Sequence, residues 1–102
     1  MFHWNDANIN HIAQHGVATA EAEQVIVNDP IDLEFSHRDK ESRVAQIGET
    51  DKGRILVVVS TWRGGLIWVV TAYPAKKRLR MVYAAEKAKR HEKRISKEEL
   101  QE

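Results

Sequence analysis

The spacing of apolar and polar positions changes several times along the chain, and each change predicts an element. Phe2-His3-Trp4 predicts a short opening strand. Asn5 or Asp6 can then cap a helix carrying Ile9, Ile12 and Ala13 on one side, and Gly16 supplies the left-handed exit such a helix needs. Thr19 is positioned to cap a second helix. Its first turn holds Glu21 and Glu23, where the helix dipole favours negative charge, and Ala22, Val25 and Ile26 form its buried stripe. Asn28-Asp29-Pro30 stops this helix, because the residue before proline avoids helical geometry.

The period then drops to two. Ile31, Leu33 and Phe35 alternate with Asp32, Glu34 and Ser36, as in a strand with one wet face. His37 to Glu41 reads as a polar turn, Arg43 to Glu49 as a weaker strand, and Glu49-Thr50-Asp51-Lys52-Gly53 as the next turn. Ile55 to Trp62 is β-branched and apolar on both faces, which predicts the middle of the sheet. Gly64-Gly65 fits a tight hairpin into Leu66 to Tyr73, and Pro74 ends that strand. From residue 76 to about 94 the period returns to that of a helix, with Leu79, Val82 and Tyr83 inward.

Consecutive strands with short turns imply an α+β layout. The expectation is an antiparallel sheet of four or five strands, packed by two N-terminal helices and a basic C-terminal helix. The 102 residues suit one domain, placed at residues 1–94, with a frayed tail at 95–102.

Charge sharpens the last helix. The net charge is +1, yet residues 76–94 hold nine Lys/Arg against two Glu, while residues 1–75 hold six against ten acids. Such a concentrated stripe attracts polyanions, although a solvated helix face would look the same. With no cysteine, disulfides and thiolate zinc sites are excluded. No apolar run is long enough to span a bilayer and the first residues do not resemble a signal peptide, so the cytoplasm is the expected compartment.

Three segments together carry a family resemblance: Trp4-Asn5-Asp6 leading to His15-Gly16-Val17; Gly53-Arg54-Ile55-Leu56-Val57-Val58-Val59 running into Thr61-Trp62-Arg63-Gly64; and Val70-Thr71-Ala72 followed by Ala75, Arg78, Arg80 and Tyr83. In order and spacing they resemble the BrnT ribonuclease toxins. The resemblance implies a RelE-like fold, metal-independent RNA cleavage, and a small ribbon-helix-helix antitoxin that binds DNA on behalf of a heteromeric complex. The chain departs from the usual pattern at Tyr73 or Pro74, where an arginine is typical, at Leu79, where a glutamate is usual, and at Asn8, near a common lysine.

The residues suggest how such chemistry would run. RNA cleaves itself when its 2′-hydroxyl attacks the adjacent phosphate. An enzyme must take that proton, protonate the leaving oxygen and surround the phosphorane with cations. Arg63 and Arg80 are the best phosphate clamps, since a guanidinium stays charged and offers paired donors. His15 is the natural proton-transfer group, though its place before Gly16 equally suits a helix cap. Tyr73 can donate a proton or stack on a base. Tyr83, at the border of the apolar stripe, is either catalytic or a core residue anchored by its hydroxyl. Lys76, Lys77, Arg78 and Lys87 extend the RNA-binding helix, with Lys76, Arg80, Tyr83 and Lys87 in one sector and Arg78 nearly opposite Arg80. His11 and His15 lack an evident third metal ligand, so neither a metal site nor a cofactor is expected. His37 and His91 read as surface; Trp4, Trp62 and Trp68 read as core or partner interface. The leading function is an endoribonuclease toxin. The alternatives are a catalytically inactive nucleic-acid- or antitoxin-binding module and a plain protein-interaction domain.

Overall fold

The computed structural model describes residues 1–38 and 40–100. Its elements are β1 Phe2–His3, α1 Asp6–Gln14, α2 Thr19–Val27, β2 Ile31–Arg38, β3 Glu41–Glu49, β4 Ile55–Arg63, β5 Leu66–Pro74 and α3 Lys77–Leu100. The five strands form one sheet in the order β1-β5-β4-β3-β2. β4 is therefore central, as its apolar character on both faces requires. The sheet is mixed rather than antiparallel throughout: β1 runs parallel to β5, while the other pairs are antiparallel. The two early helices intervene between β1 and the hairpins, returning the chain to the far side of the sheet.

β4 sends alternate side chains into two cores. Leu56 and Val58 pack with Ile12, Val17, Ala22 and Val25 from the α1–α2 region. Val57 packs on the other face with Ile31, Ile47, Ala75 and Tyr83, and Leu79 joins them. The sheet is thus sandwiched between α1 and α2 on one side and α3 on the other. Gly48 lets α2 approach closely, since a Cβ there would lie 3.1 Å from Val25 Cγ1 and 3.2 Å from the Val25 carbonyl oxygen.

Several details differ from the sequence reading for local reasons. The cap of α2 is Ala18, not Thr19, and its backbone N–H donates to Glu21 Oε1 at 3.0 Å. The turn after β2 is tighter than His37 to Glu41, because the strands pair as far as Arg38 and Glu41. A bulge between Asp32 and Glu34 shifts the phase of β2. Phe35 therefore stands opposite Val44 and is 73% exposed instead of joining Ile31 and Leu33 in the core. Ala13 and Val82 are exposed as well, so the buried stripes of α1 and α3 are narrower than their apolar content suggests. α3 continues to Leu100, past the end expected near residue 94. Gly64 and Gly65 both have positive φ, the backbone that a two-residue hairpin of matching twist demands.

Candidate functional site

Directly opposed residues of neighbouring strands share a sheet face. Tyr73 opposes Val57, Thr71 opposes Val59, Trp68 opposes Thr61, and Thr61 opposes Arg43. These positions therefore belong to the face on which α3 lies, and Arg63 ends the same row. The contacts of α3 gather at the Ile47–Val57 end. Arg43, Trp68 and Arg63 lie toward the opposite end.

α1 brings histidines to this face from the side. β1 pairs with β5 at Ile67 and Trp68, and α1 packs along β5 beyond them. Asn5 and Asn8 cap the helix reciprocally, and Asn8 Nδ2 also donates to the Val69 carbonyl at 3.4 Å. His11 and His15 follow one turn apart. His11 Nε2 lies 3.1 Å from Thr71 Oγ1. The His11 and His15 rings are 5.4 Å apart, and the His15 and Tyr73 rings 6.3 Å, all three exposed. Two imidazoles and a phenol thus form a solvent-facing row. Among the described residues no third His, Cys, Asp or Glu joins His11 and His15 to complete a metal-binding group.

The turn that holds His15 is built in detail. Val17 N–H donates to the Ile12 carbonyl and Gly16 N–H to that of Ala13, with Gly16 at φ 75°. This is a Schellman exit, stapled by the buried pair Ile12 and Val17. Arg54, just before β4, then clasps it: its Nη1 donates to the Gly16 carbonyl at 2.8 Å and to both Glu21 oxygens at 2.9 and 3.0 Å. The Ala18 N–H, followed by Arg54, holds the Glu21 carboxyl below its ordinary pKa. His15 is accordingly the C-cap residue of α1, with its ring exposed to solvent.

At the far end of the face, Glu41 joins two arginines. Arg63 Nε and Nη2 donate to Glu41 Oε1 at 2.9 and 2.6 Å, while Arg43 Nε and Nη2 reach Oε2 at 3.3 and 3.1 Å. The Arg63 guanidinium, then that of Arg43, holds the Glu41 carboxyl below its usual range. Arg63 also sits 5.1 Å over the Trp68 ring, which stacks on His3 at 3.9 Å. Trp68 Nε1 is buried with no acceptor among the described residues. Such a donor costs about 1–3 kcal/mol when left unmet. Nearby, a cavity of about 180 Å³ is lined by Asn5, Asn8, Arg43, Arg63, Trp68 and Val70 among others.

The residues expected on α3 divide into two groups. Arg80 Nη1 donates to the Ala75 carbonyl at 2.6 Å, close in sequence to Tyr73. Lys76, Lys77 and Arg78 are exposed. Tyr83 is buried, and its hydroxyl donates to Glu49 Oε1 at 3.1 Å; burial, then Glu49, pushes its pKa up to about 12. Lys87 lies 5.6 Å over the Tyr83 ring and donates to Asp29, which also meets Arg90 at 3.2 Å. Tyr83 and Lys87 thus fasten α3 to the body.

Arg63 and Arg80 are not brought together. Ala75 hydrogen-bonds Ile55 at one end of β4, and Arg63 ends the other. Eight steps along a strand at ~3.3 Å each separate the two ends by roughly 26 Å. Sequence reasoning weighed His11 only as half of an incomplete metal pair and passed over its partner Thr71, and it passed over Glu41 and Arg43 as well. The first pair could be found only by docking a helical period onto a strand period, and the second only from the register of β3 on β4.

A family model described as the ribonuclease toxin BrnT of type II toxin–antitoxin systems matches residues 4–78, most of the chain. The chain belongs to the BrnT family. No curated protein and no solved structure matches it. Membership makes it a ribonuclease toxin of a type II pair by family, with RNA as the family's substrate and an antitoxin as its partner. The matched segment contains the histidines of α1, Arg43, Arg63 and Tyr73, and stops within the first turn of α3. Arg80, Tyr83 and Lys87 of this BrnT chain lie beyond it. Among the described residues no helix is long and apolar enough to cross a membrane.

Proposed function

We propose that this BrnT protein is an endoribonuclease that cleaves RNA without metal, through attack of the 2′-hydroxyl on the adjacent phosphate. The observation that carries the reading is the exposed row His11–His15–Tyr73, beside a strand end where Arg80 approaches the backbone. His15 takes the 2′-hydroxyl proton as the O2′–P bond forms. Tyr73 gives its phenolic proton to the 5′-oxygen as the P–O5′ bond breaks, leaving a cyclic phosphate and a 5′-hydroxyl. Proton return from His15 to Tyr73 resets the pair. Arg80 meets the phosphorane charge, with Lys76, Lys77 and Arg78 drawing RNA to that end. Arg63 holds the strand farther along the same face.

On this reading the protein acts in the cytoplasm, held silent by a ribbon-helix-helix antitoxin whose dimer makes the assembly twofold and gives it DNA binding. Inducible expression of the chain alone, with growth and total mRNA integrity followed together, tests the activity. Growth arrest with mRNA loss, both abolished by His15→Ala or Tyr73→Phe, is the expected result. Intact mRNA under wild-type expression would replace the enzyme with an RNA- or antitoxin-binding module. Pull-down at native expression should recover the small antitoxin.

A further inference from the structure

We propose that Arg43 is a second phosphate-contacting residue beside Arg63, and that Glu41 is the splint aligning the two guanidiniums for one phosphodiester of a single-stranded RNA. The proposal rests on the ribonuclease reading for its substrate class.

The argument begins with which donors are used. Both arginines meet Glu41 through Nε and Nη2, one on each carboxylate oxygen. Among the described residues, neither Nη1 has an acceptor. Each guanidinium therefore keeps its outer edge for a ligand, while its inner edge is held by the same carboxylate. Two adjacent cations would otherwise repel and turn apart. A guanidinium pair with fixed planes suits tetrahedral phosphate oxygens, which accept paired donors.

The charge balance agrees. Arg43, Arg63 and Glu41 sum to one positive charge, which one phosphodiester neutralises. The Arg43 and Arg63 side chains are 38% and 50% exposed, so the approach is open, whereas Glu41 is 20% exposed beneath them. Trp68, Asn5 and Asn8 line the same cavity as both arginines, so a ligand on the guanidiniums meets an aromatic wall and two amide side chains beside it. The two ends of the face then hold different phosphates of one strand: cleavage at His15 and Tyr73, and anchoring at Arg43 and Arg63.

Binding of a short single-stranded oligonucleotide with 2′-O-methyl groups tests this, because it cannot undergo 2′-hydroxyl attack. Affinity is measured by fluorescence anisotropy across a salt series with the full chain. Each phosphate contact on a single strand contributes about 0.7 to the slope of log affinity against log salt. Arg43→Ala should lower the slope by about that amount, and Arg43→Lys should restore it. Lys52→Ala, an equal charge change in the remote β3–β4 turn, should leave it unchanged. Circular dichroism checks that each variant is folded. A folded Arg43→Ala variant with the wild-type slope, or an equal loss in Lys52→Ala, overturns the proposal. The ribonuclease reading fails separately: wild type that binds with the expected slope yet leaves the 2′-hydroxyl oligonucleotide uncut keeps this site and loses the catalytic one.

Discussion

Tyr83 on α3 donates its hydroxyl to Glu49 at the last position of β3, 3.1 Å away. The bond joins a helix that is otherwise largely exposed to the sheet beneath it, and it occupies the phenol. Tyr83→Phe keeps the packing against Ile47 and Val57 while removing about 0.5–1.5 kcal/mol for a typical hydrogen bond. The variant should therefore fold with slightly lower stability and retain RNA cleavage, as an activity assay beside a denaturant titration will show. Complete loss of cleavage in a folded Tyr83→Phe protein would return the residue to the catalytic list.

The same phenol gives a pH signature. Its folded-state pKa is raised to about 12 from an ordinary 10.0, so above pH 10 the unfolded chain releases the proton first. The stabilisation is complete below pH 10 and is lost as pH climbs through about 12. Thermal melts from pH 9 upward should show wild type losing more stability than Tyr83→Phe. Parallel curves would show that Tyr83 is not the group responsible.

The carboxylates act at the opposite extreme. Glu21 is held low by the Ala18 N–H and Arg54, and Asp29 by Lys87 and Arg90. Folded pKa values below the unfolded ones mean stability that is present above the ordinary carboxylate range and lost as pH falls through the folded values. Both sites are open to solvent, so each effect is modest. Melts between neutral and acid pH should fall less steeply for Glu21→Gln and Asp29→Asn than for wild type. An unchanged acid limb in both variants would contradict the assignment.

Packing at Gly48 makes a sharper test. A methyl group there meets the Val25 side chain and carbonyl at 3.1 and 3.2 Å, and Pro30 Cβ at 3.3 Å. Backbone cannot give way as a side-chain tip can, so α2 must lift from β3. Gly48→Ala should cost about 1–3 kcal/mol, the usual range for overpacking. Gly53→Ala is the contrast, because nothing lies near its Cβ and only the positive φ is strained. Urea midpoints of the two variants separate crowding from backbone strain.

The strands and helices were legible because β4 is apolar on both faces and the glycines punctuate the turns. Phe35 was not, since a bulge two residues earlier leaves no mark on a simple alternation. The parallel pairing of Phe2 and His3 with Ile67 and Trp68 was hidden too, being a contact across more than sixty residues. At the candidate site, His15 and Tyr73 could be named from chemistry and position. Their proximity depends on α1 lying along β5, which no local period encodes. Arg63 and Arg80 looked like partners because both are basic and family-spaced. β4 is simply long enough to keep them apart. The Arg43–Glu41–Arg63 bridge needs the register of β3 on β4, which no single strand's pattern carries.

That separation changes what the arginine variants should do. Arg80 lies at the His15–Tyr73 end and is proposed to meet charge that appears in the transition state, so Arg80→Ala should lower turnover more than binding. Loss of one preorganised donor typically costs about 10²–10³ in rate. Arg63 lies at the remote end, where it holds a phosphate equally in ground and transition states, so Arg63→Ala should chiefly weaken binding. Arg78 is exposed and projects away from Arg80, and its removal should cost less turnover than either. Antitoxin capture verifies that each variant is folded. Steady-state cleavage of a short RNA, resolved into kcat and KM, then distinguishes the roles. A fall in kcat for Arg63→Ala, with kcat intact in Arg80→Ala, would move the chemistry to the Trp68 end of the sheet and make the histidine row a binding surface.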